Sequence, residues 1–150
     1  MRFSTLAVTV AAVALPALGA NFAVTVGTNN GFVFTPTSIS GAVAGDTITF
    51  TFVSRNHTAT TTTFENPCPP PAGGSGPGGF DTGFLNAVGG DQPVSVITLA
   101  DSGTHFVSCR QAAGAHCQAG MVFAINPTAD QTLDEFTQNA RTDPIQTDRI

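Results

Sequence analysis

Short runs that alternate between apolar and small polar residues constrain this chain most strongly. The clearest run is T-I-T-F-T-F-V at residues 47–53, where Ile48, Phe50 and Phe52 share one face and threonines take the other. This period of two is typical of a half-buried β-strand. Gly- and Pro-containing turns separate it from similar runs at residues 22–26, 32–34, 57–64, 94–99, 104–109 and 121–125. The pattern predicts an all-β, antiparallel Greek-key sandwich of seven to eight strands.

Residues 66–80 interrupt the strand pattern with the sequence N-P-C-P-P-P-A-G-G-S-G-P-G-G-F. Proline removes backbone donors and glycine adds chain entropy, so regular structure is not expected here. We predict a long surface loop that is held in place at Cys68.

A polar tail, residues 128–150, follows the predicted sandwich domain of residues 21–127. In this tail Asp130 is a candidate cap for a short helix that runs to Arg141. Leu133 and Phe136 are spaced so that both can pack on the sandwich.

The first 20 residues predict a secretory signal peptide. Arg2 precedes an apolar run, Leu6 to Leu15, and the small-residue segment Ala17-Leu18-Gly19-Ala20 follows. Cleavage after Gly19 and cleavage after Ala20 both fit. The apolar run is too short to span a bilayer. A secreted, extracellular protein is therefore expected, in an oxidising compartment where a disulfide forms.

The charge of the chain excludes several kinds of partner. Without the signal segment there are four arginines and no lysine against ten carboxylates, a net charge of −6. Nucleic acids and anionic membranes bind basic surfaces, which this chain lacks. We expect a freely diffusing monomer that binds no nucleic acid and does not span a membrane.

One short loop, residues 109–121, gathers three metal-binding side chains. It reads C-R-Q-A-A-G-A-H-C-Q-A-G-M and places Cys109, His116 and Met121 between two predicted strands. A thiolate and an imidazole as strong ligands with a weak thioether are the combination of a blue copper site, which needs a second imidazole. His57, at the end of a predicted strand, is the candidate. One mononuclear copper ion is therefore predicted.

Three cysteines allow one disulfide and one free thiol. The pairing Cys68–Cys117 is favoured, because the side chain of Cys117 points away from a metal that its neighbour His116 faces. The alternative pairing, Cys68–Cys109, would leave Cys117 free and remove the copper site.

The chain resembles the secreted fungal cupredoxins, extracellular domains related to the plant phytocyanins. The resemblance covers nearly the whole mature chain and is carried by G-D-T-I-T-F-T-F, N-H-T, the N-P-C loop, G-G-F-D-T-G-F and H-C-Q-A-G-M-V-F-A-I-N-P. It implies a cupredoxin-like sandwich and copper-dependent electron transfer. It also implies His57, Cys109, His116 and Met121 as copper ligands, Cys68 and Cys117 as a disulfide, and an edge of His116 as the route for electrons.

The spacing departs from the phytocyanin pattern at one point. Cys109 and His116 are separated by six residues where that family usually has four, whereas the spacing from His116 to Met121 matches. The longer loop either accepts the metal or leaves His116 out of position.

Two neighbouring features have simpler interpretations than ligation. His105 shares a strand face with Cys109 but lies too far back along it, so it is predicted to be a structural histidine. Asn56 begins the glycosylation triplet Asn56-His57-Thr58, but is expected to be buried and to brace the ligand segment through hydrogen bonds.

Two functions follow. The first is one-electron transfer by a secreted type 1 copper protein with an unknown redox partner. The second is a copper-free surface or interaction protein that keeps only the sandwich. An enzyme is not expected, because four protein ligands leave no open position for a substrate.

Overall fold

The computed structural model describes residues 19–149, so the predicted signal segment lies outside the described residues except for its last two. Two four-stranded sheets form the body of the protein. The first sheet contains β1 (Asn21–Val26), β2 (Phe34–Thr35), β4 (Thr47–Phe52) and β8 (Val94–Thr98). The second contains β3 (Ser38–Ile39), β6 (Thr60–Thr62), β9 (His105–Ser108) and β10 (Val122–Ile125).

Two short strands and two α-helices lie outside the two main sheets. The short strands β5 (Asn56–His57) and β7 (Leu85–Asn86) pair with each other outside the two main sheets. A single helical turn, α1 (Ala115–Gln118), lies between β9 and β10, and the helix α2 (Leu133–Thr142) follows the last strand. The predicted fold class, an all-β sandwich with a short C-terminal helix, is confirmed. None of the helices among residues 19–149 is long and apolar enough to cross a membrane.

The main core lies between the two sheets. Alternation along β4 turns Ile48, Phe50 and Phe52 inward, and each is fully buried. Phe50 contacts Phe34 of its own sheet and Phe123 of the opposite sheet, with ring centroids 6.4 and 5.9 Å apart. Large apolar side chains that interdigitate in this way bring the hydrophobic gain that holds two sheets together.

The prediction of a purely antiparallel sandwich is wrong for two strand pairs. β1 and β4 run parallel over six residue pairs, and β3 runs parallel to β10. The chain leaves the first sheet after β2, contributes β3 to the second sheet, and returns to form β4 beside β1. A return through the opposite sheet brings two strands together in the same direction, which a hairpin cannot do.

The threonine-rich run at residues 57–64 forms two elements instead of one. It is divided between β5 and β6, and all three threonines of β6 are buried, although successive residues of a strand face opposite sides of the sheet. Their burial is possible because their hydroxyls are paired: Thr60 donates to the Asp81 carboxylate, at 2.8 Å, and Thr61 donates to the Phe80 carbonyl, at 3.2 Å.

Residues 66–80 contain no strand or helix, as predicted, but their first part is not on the surface. Residues 67–70 are buried, and Cys68 is fully inaccessible. Cys68 packs with Phe106, Ala124 and Phe136 in a second apolar cluster on the outer face of the second sheet. This part of the loop is therefore packed into the protein and does not extend into solvent.

The C-terminal helix exists, but its cap differs from the prediction. Thr132, not Asp130, is the N-cap, and its hydroxyl accepts a hydrogen bond from the Glu135 backbone N–H at 3.2 Å. A threonine followed three residues later by glutamate is a capping box, a stronger start signal than an isolated aspartate. Phe136 is fully buried against the second sheet, as predicted.

Candidate metal centre

The strands β9 and β10 place the free thiol beside the predicted thioether. Their antiparallel pairing joins Ser108 to Val122, and the ladder continues with a hydrogen bond from the Cys109 N–H to the Met121 carbonyl, at 3.3 Å. Residues directly opposite in such a ladder turn their side chains to the same face. Cys109 and Met121 are both fully buried in the main core.

His57 reaches the same point from the paired strands β5 and β7. Its neighbour across this pair is Leu85, and its side chain is fully buried. The next residue, Thr58, donates its backbone N–H to the Cys109 Sγ at 3.4 Å. This main-chain contact links the His57 segment directly to the thiol.

The longer loop brings His116 into place. Ala112, Ala113 and Gly114 have φ angles of 55°, 52° and 93°, so three consecutive left-handed residues turn the chain back before α1 begins. Such angles are uncommon outside glycine. At Gly114 a side chain would also press on Pro69, whose backbone nitrogen would lie 3.2 Å from an added Cβ. The two additional residues are therefore absorbed in a tight turn, and His116 is not displaced.

Three ligand atoms converge on one point. The Nδ1 atoms of His57 and His116 lie 3.1 Å apart, and each lies 3.7 Å from the Cys109 Sγ. Among residues 19–149 this is the cluster of histidine, cysteine and acidic side chains compact enough to hold a metal ion. The structure thus brings together three of the predicted site residues, and the β9–β10 ladder places Met121 next to them.

Burial keeps both imidazoles neutral. Desolvation, aided by the neighbouring His116 and by the Arg55 guanidinium, lowers the pKa of His57 to about 4. Desolvation and Arg55 also lower the pKa of His116. A neutral imidazole has a lone pair free for a metal, so both rings are ready to bind at neutral pH.

The thiol is held in its protonated form. Burial raises the pKa of Cys109 above its ordinary value, although the hydrogen bond from the Thr58 N–H opposes this effect. A metal ion binds the thiolate, so binding must displace this proton.

Two residues that the sequence did not single out cover the exposed side of His116. The ring of Phe32 lies against the His116 ring with centroids 4.1 Å apart, and the Arg55 guanidinium lies 5.1 Å from the Phe32 centroid. Phe32 is 39% exposed although it is a large apolar residue. No local pattern predicts this stack, because Phe32 precedes His116 by more than 80 positions.

The disulfide joins Cys68 to Cys117, as favoured, and Cys109 is the free cysteine. Cys117 follows His116 on α1, whereas Cys68 is packed beneath α2. The disulfide therefore ties α1, which carries His116, to the second apolar cluster. The alternative pairing through Cys109 is excluded.

The neighbouring residues take the following positions. His105 is a structural histidine, as predicted, because its Nε2 lies 2.9 Å from the Asp101 carboxylate. It precedes Cys109 by four residues in the sequence. Asn56 is half-buried, but its Oδ1 is buried without a partner in the described part of the chain. The segment is braced by main-chain pairing with Asn86 instead of the expected side-chain hydrogen bonds.

Comparisons with known proteins give likenesses of structure alone. No family model matches the chain, and no curated protein matches its sequence. Auracyanin from Roseiflexus castenholzii is 16% identical, with a TM-score of 0.49, over 73% of this chain and 98% of that chain. Auracyanin A from Chloroflexus aurantiacus, a blue copper protein, is 14% identical, with a TM-score of 0.48, over 72% and 98%. A mutant fern plastocyanin is 25% identical, with a TM-score of 0.48, over 69% and 97%.

Proposed function

We propose that this protein binds one copper ion in a type 1 site and transfers single electrons. The Nδ1 atoms of His57 and His116 and the Sγ of Cys109 would hold the ion, with Met121 as a weak axial ligand. The observation that carries the proposal is the convergence of these three atoms, at separations of 3.1, 3.7 and 3.7 Å, in a buried pocket.

These four side chains are better suited to binding copper than to packing in a hydrophobic core. Without an ion, two neutral imidazoles and a thiol would be buried together, where each needs polar partners. Two imidazoles, one thiolate and a distant thioether are the ligands of blue-copper electron-transfer sites. A structural zinc site uses four strong tetrahedral protein ligands, whereas the described cluster supplies three.

Bound copper would supply a one-electron couple between Cu(I) and Cu(II). The chain's part is to keep the ligand positions the same in both oxidation states. Cys109 is fixed by the β9–β10 ladder, and His57 by β5–β7 pairing. His116 is fixed by the disulfide at the next residue. Full burial of Cys109 and Met121 keeps water away from the site.

His116 is the proposed route for electrons. It is half-buried, whereas His57 is fully buried, so His116 lies nearer to the surface. Its ring contacts Phe32, which is itself partly exposed. A redox partner that docks at this end of the sandwich would come within contact distance of the His116–Phe32 pair.

The finer biological setting is also proposed. The N-terminal segment supports secretion, and the acidic composition supports a freely diffusing monomer. The motifs that resemble fungal phytocyanin-like domains support an extracellular carrier that exchanges electrons with a partner protein. No enzymatic activity is proposed, because the four residues would occupy the metal's binding positions.

A copper titration tests the proposal. Cu(II) added to the purified protein should give an intense blue or green absorption, from thiolate-to-copper charge transfer, that saturates at one equivalent. Cys109→Ser should remove this absorption and leave the Cys68–Cys117 disulfide intact. A colourless wild-type protein would reject the copper proposal and favour the copper-free interaction protein.

A further inference from the structure

Asp46 is a buried carboxylate that takes no part in the candidate metal centre. It lies just before β4, at the end of the strand away from His57, and is 4% exposed. Its Oδ2 accepts a hydrogen bond from the Val43 N–H at 2.9 Å. Within residues 19–149 it forms no salt bridge. Carboxylates buried to this extent are ordinarily paired with a cation.

The other carboxylate oxygen of Asp46 points at the nitrogen of Ala20. This nitrogen lies 2.6 Å from the Asp46 Oδ1. Ala20 is held there by the main chain, because its carbonyl accepts a hydrogen bond from the Thr47 N–H at 2.8 Å. The next residue, Asn21, begins the parallel pairing with β4. Main-chain hydrogen bonds therefore hold the Ala20 nitrogen beside the Asp46 carboxylate, whether or not that nitrogen carries a charge.

The sequence around Ala20 suits signal-peptide cleavage directly before this residue. Ala17-Leu18-Gly19 has small residues at the first and third positions before a cut after Gly19, which is the usual pattern. A cut after Ala20 would put the bulky Leu18 at the third position. It would also remove the residue whose nitrogen contacts Asp46.

We infer that the chain is cleaved between Gly19 and Ala20, and that the α-ammonium group created there is the counter-ion of Asp46. A signal-cleaving protease would add water to the Gly19 carbonyl carbon and break the peptide C–N bond between Gly19 and Ala20. Gly19 leaves with a carboxylate, and the Ala20 nitrogen becomes a protonated amine. The neutral amide donor at Asp46 then becomes a charged ammonium donor, so the hydrogen bond becomes an ion pair, which is stronger.

This inference rests on the proposed secretion and is independent of copper binding. Cleavage would do more than release the protein, because it would place a positive charge beside the buried Asp46 carboxylate just before β4. A processed chain would therefore be more stable than one that retains its signal segment. The copper titration reads a site at the other end of β4, so failure of one proposal can be told apart from failure of the other.

The first experiment measures the mass of the full chain after expression in a secreting host. The inference predicts a mature protein that begins at Ala20. A protein that begins at Asn21, or that retains residue 19, would overturn it. Failure of the host to process the chain at all would also count against it.

The second experiment uses the absence of lysine from the sequence. The α-amino group is the sole primary amine of the mature chain, so an acetylating amine reagent reports on it alone. Pairing with Asp46 should make acetylation roughly tenfold slower in the folded protein than in urea, since an engaged ammonium must first lose its proton. Mass spectrometry counts the added acetyl group.

Asp46→Asn is the matched control, because asparagine keeps the shape and an acceptor oxygen but removes the charge. Acetylation of the folded variant should return close to the rate in urea. Acetylation of the unsubstituted protein should lower its melting temperature by roughly 2 to 6 °C, and the same treatment should change Asp46→Asn much less. Equal rates, or equal losses of melting temperature, in the two proteins would overturn the ion pair.

Discussion

Two buried histidines of this protein, His57 and His105, have opposite surroundings. His105 is 8% exposed, and its Nε2 lies 2.9 Å from the Asp101 carboxylate. His57 is fully buried, and its Nε2 has no partner among the described residues. Within residues 19–149, the partners of its Nδ1 are the Nδ1 of His116 and the Cys109 thiol.

The difference teaches how a ligand can be told from a structural histidine. A histidine that serves the fold is given a partner by the chain itself, as Asp101 is given to His105. A histidine that serves a metal turns one ring nitrogen toward other ligand atoms, as the Nδ1 of His57 is turned toward His116 and Cys109. His57 fits the second description, and burial is common to both, so burial alone does not distinguish them.

Paired substitutions give the largest expected difference between the two histidines. His57→Ala should weaken copper binding by roughly 100-fold or more, because even partners outside the ligand set are worth 10- to 100-fold in metal affinity. His105→Ala should leave the affinity unchanged and should lower the free energy of unfolding, because a buried ring and its hydrogen bond to Asp101 are lost. Competition with a Cu(I) chelator and denaturant unfolding measure the two quantities. Equal losses of copper affinity would erase the distinction.

Removal of the disulfide tests how His116 joins the site. Cys68→Ala with Cys117→Ala opens a loop of 49 residues, and the chain-entropy relation values its closure at about 4 kcal/mol. We expect this loss in the free energy of unfolding, together with a broadened copper spectrum because His116 is no longer anchored.

The control for the disulfide is a comparison within the same variant. The strands β4 and β5, on the His57 side of the molecule, lie outside the loop that the bridge closes and should keep their backbone amide protection. Loss of protection in those strands, or an unchanged copper spectrum, would contradict a local role for the disulfide at His116.

The pH dependence of the free energy of unfolding of the metal-free protein should come largely from His57. Its pKa is about 4 in the folded protein against an ordinary 6.5, so the unfolded chain binds the extra proton more readily. The stabilising contribution is complete above pH 6.5 and is lost as the pH falls toward 4. Its full size is about 3 kcal/mol.

Urea unfolding between pH 4 and 8 measures this dependence, and His57→Gln provides the control. The variant should show a shallower fall in the free energy of unfolding over the same range. His116, whose pKa is also lowered, should account for part of the fall that remains. A variant as acid-sensitive as the unsubstituted protein would show that His57 is not the group responsible.

Arg55 should have the smallest effect. Its guanidinium lies over Phe32 and lowers the pKa of both site histidines. Arg55→Gln should therefore raise the pKa of His116 in the metal-free protein by a fraction of a unit, and leave His105 unaffected. NMR titration of the histidine ring protons resolves all three residues. A shift at His105 equal to that at His116 would show a general effect and not one of the stack.

Local patterns predicted much of this molecule, because strand alternation and the ligand loop are short-range features. Phe50 faces the core, as the alternation along its strand predicts. Cys109 is the free thiol, as its predicted role as a metal ligand requires. The capping box at Thr132 is also a local pattern, and it caps the helix in place of the predicted Asp130.

The features that were missed depend on long-range contacts. The parallel pairing of β1 with β4 arises from a chain that crosses between sheets, which no local pattern encodes. The contact of Phe32 with His116 and the burial of Thr60 depend on partners far along the chain. The position of His116 after the six-residue spacing from Cys109 depends on the left-handed turn at Ala112, which the sequence pattern does not specify.

X-ray absorption at the copper edge of the loaded protein tests the central claim most directly, because it identifies the atoms bound to the ion. The geometry of His57, Cys109 and His116 predicts two imidazole nitrogens and one short copper–sulfur bond, with any second sulfur much farther away. A spectrum with nitrogen and oxygen neighbours and no short sulfur bond would show that copper binds elsewhere, and the electron-transfer proposal would then be wrong.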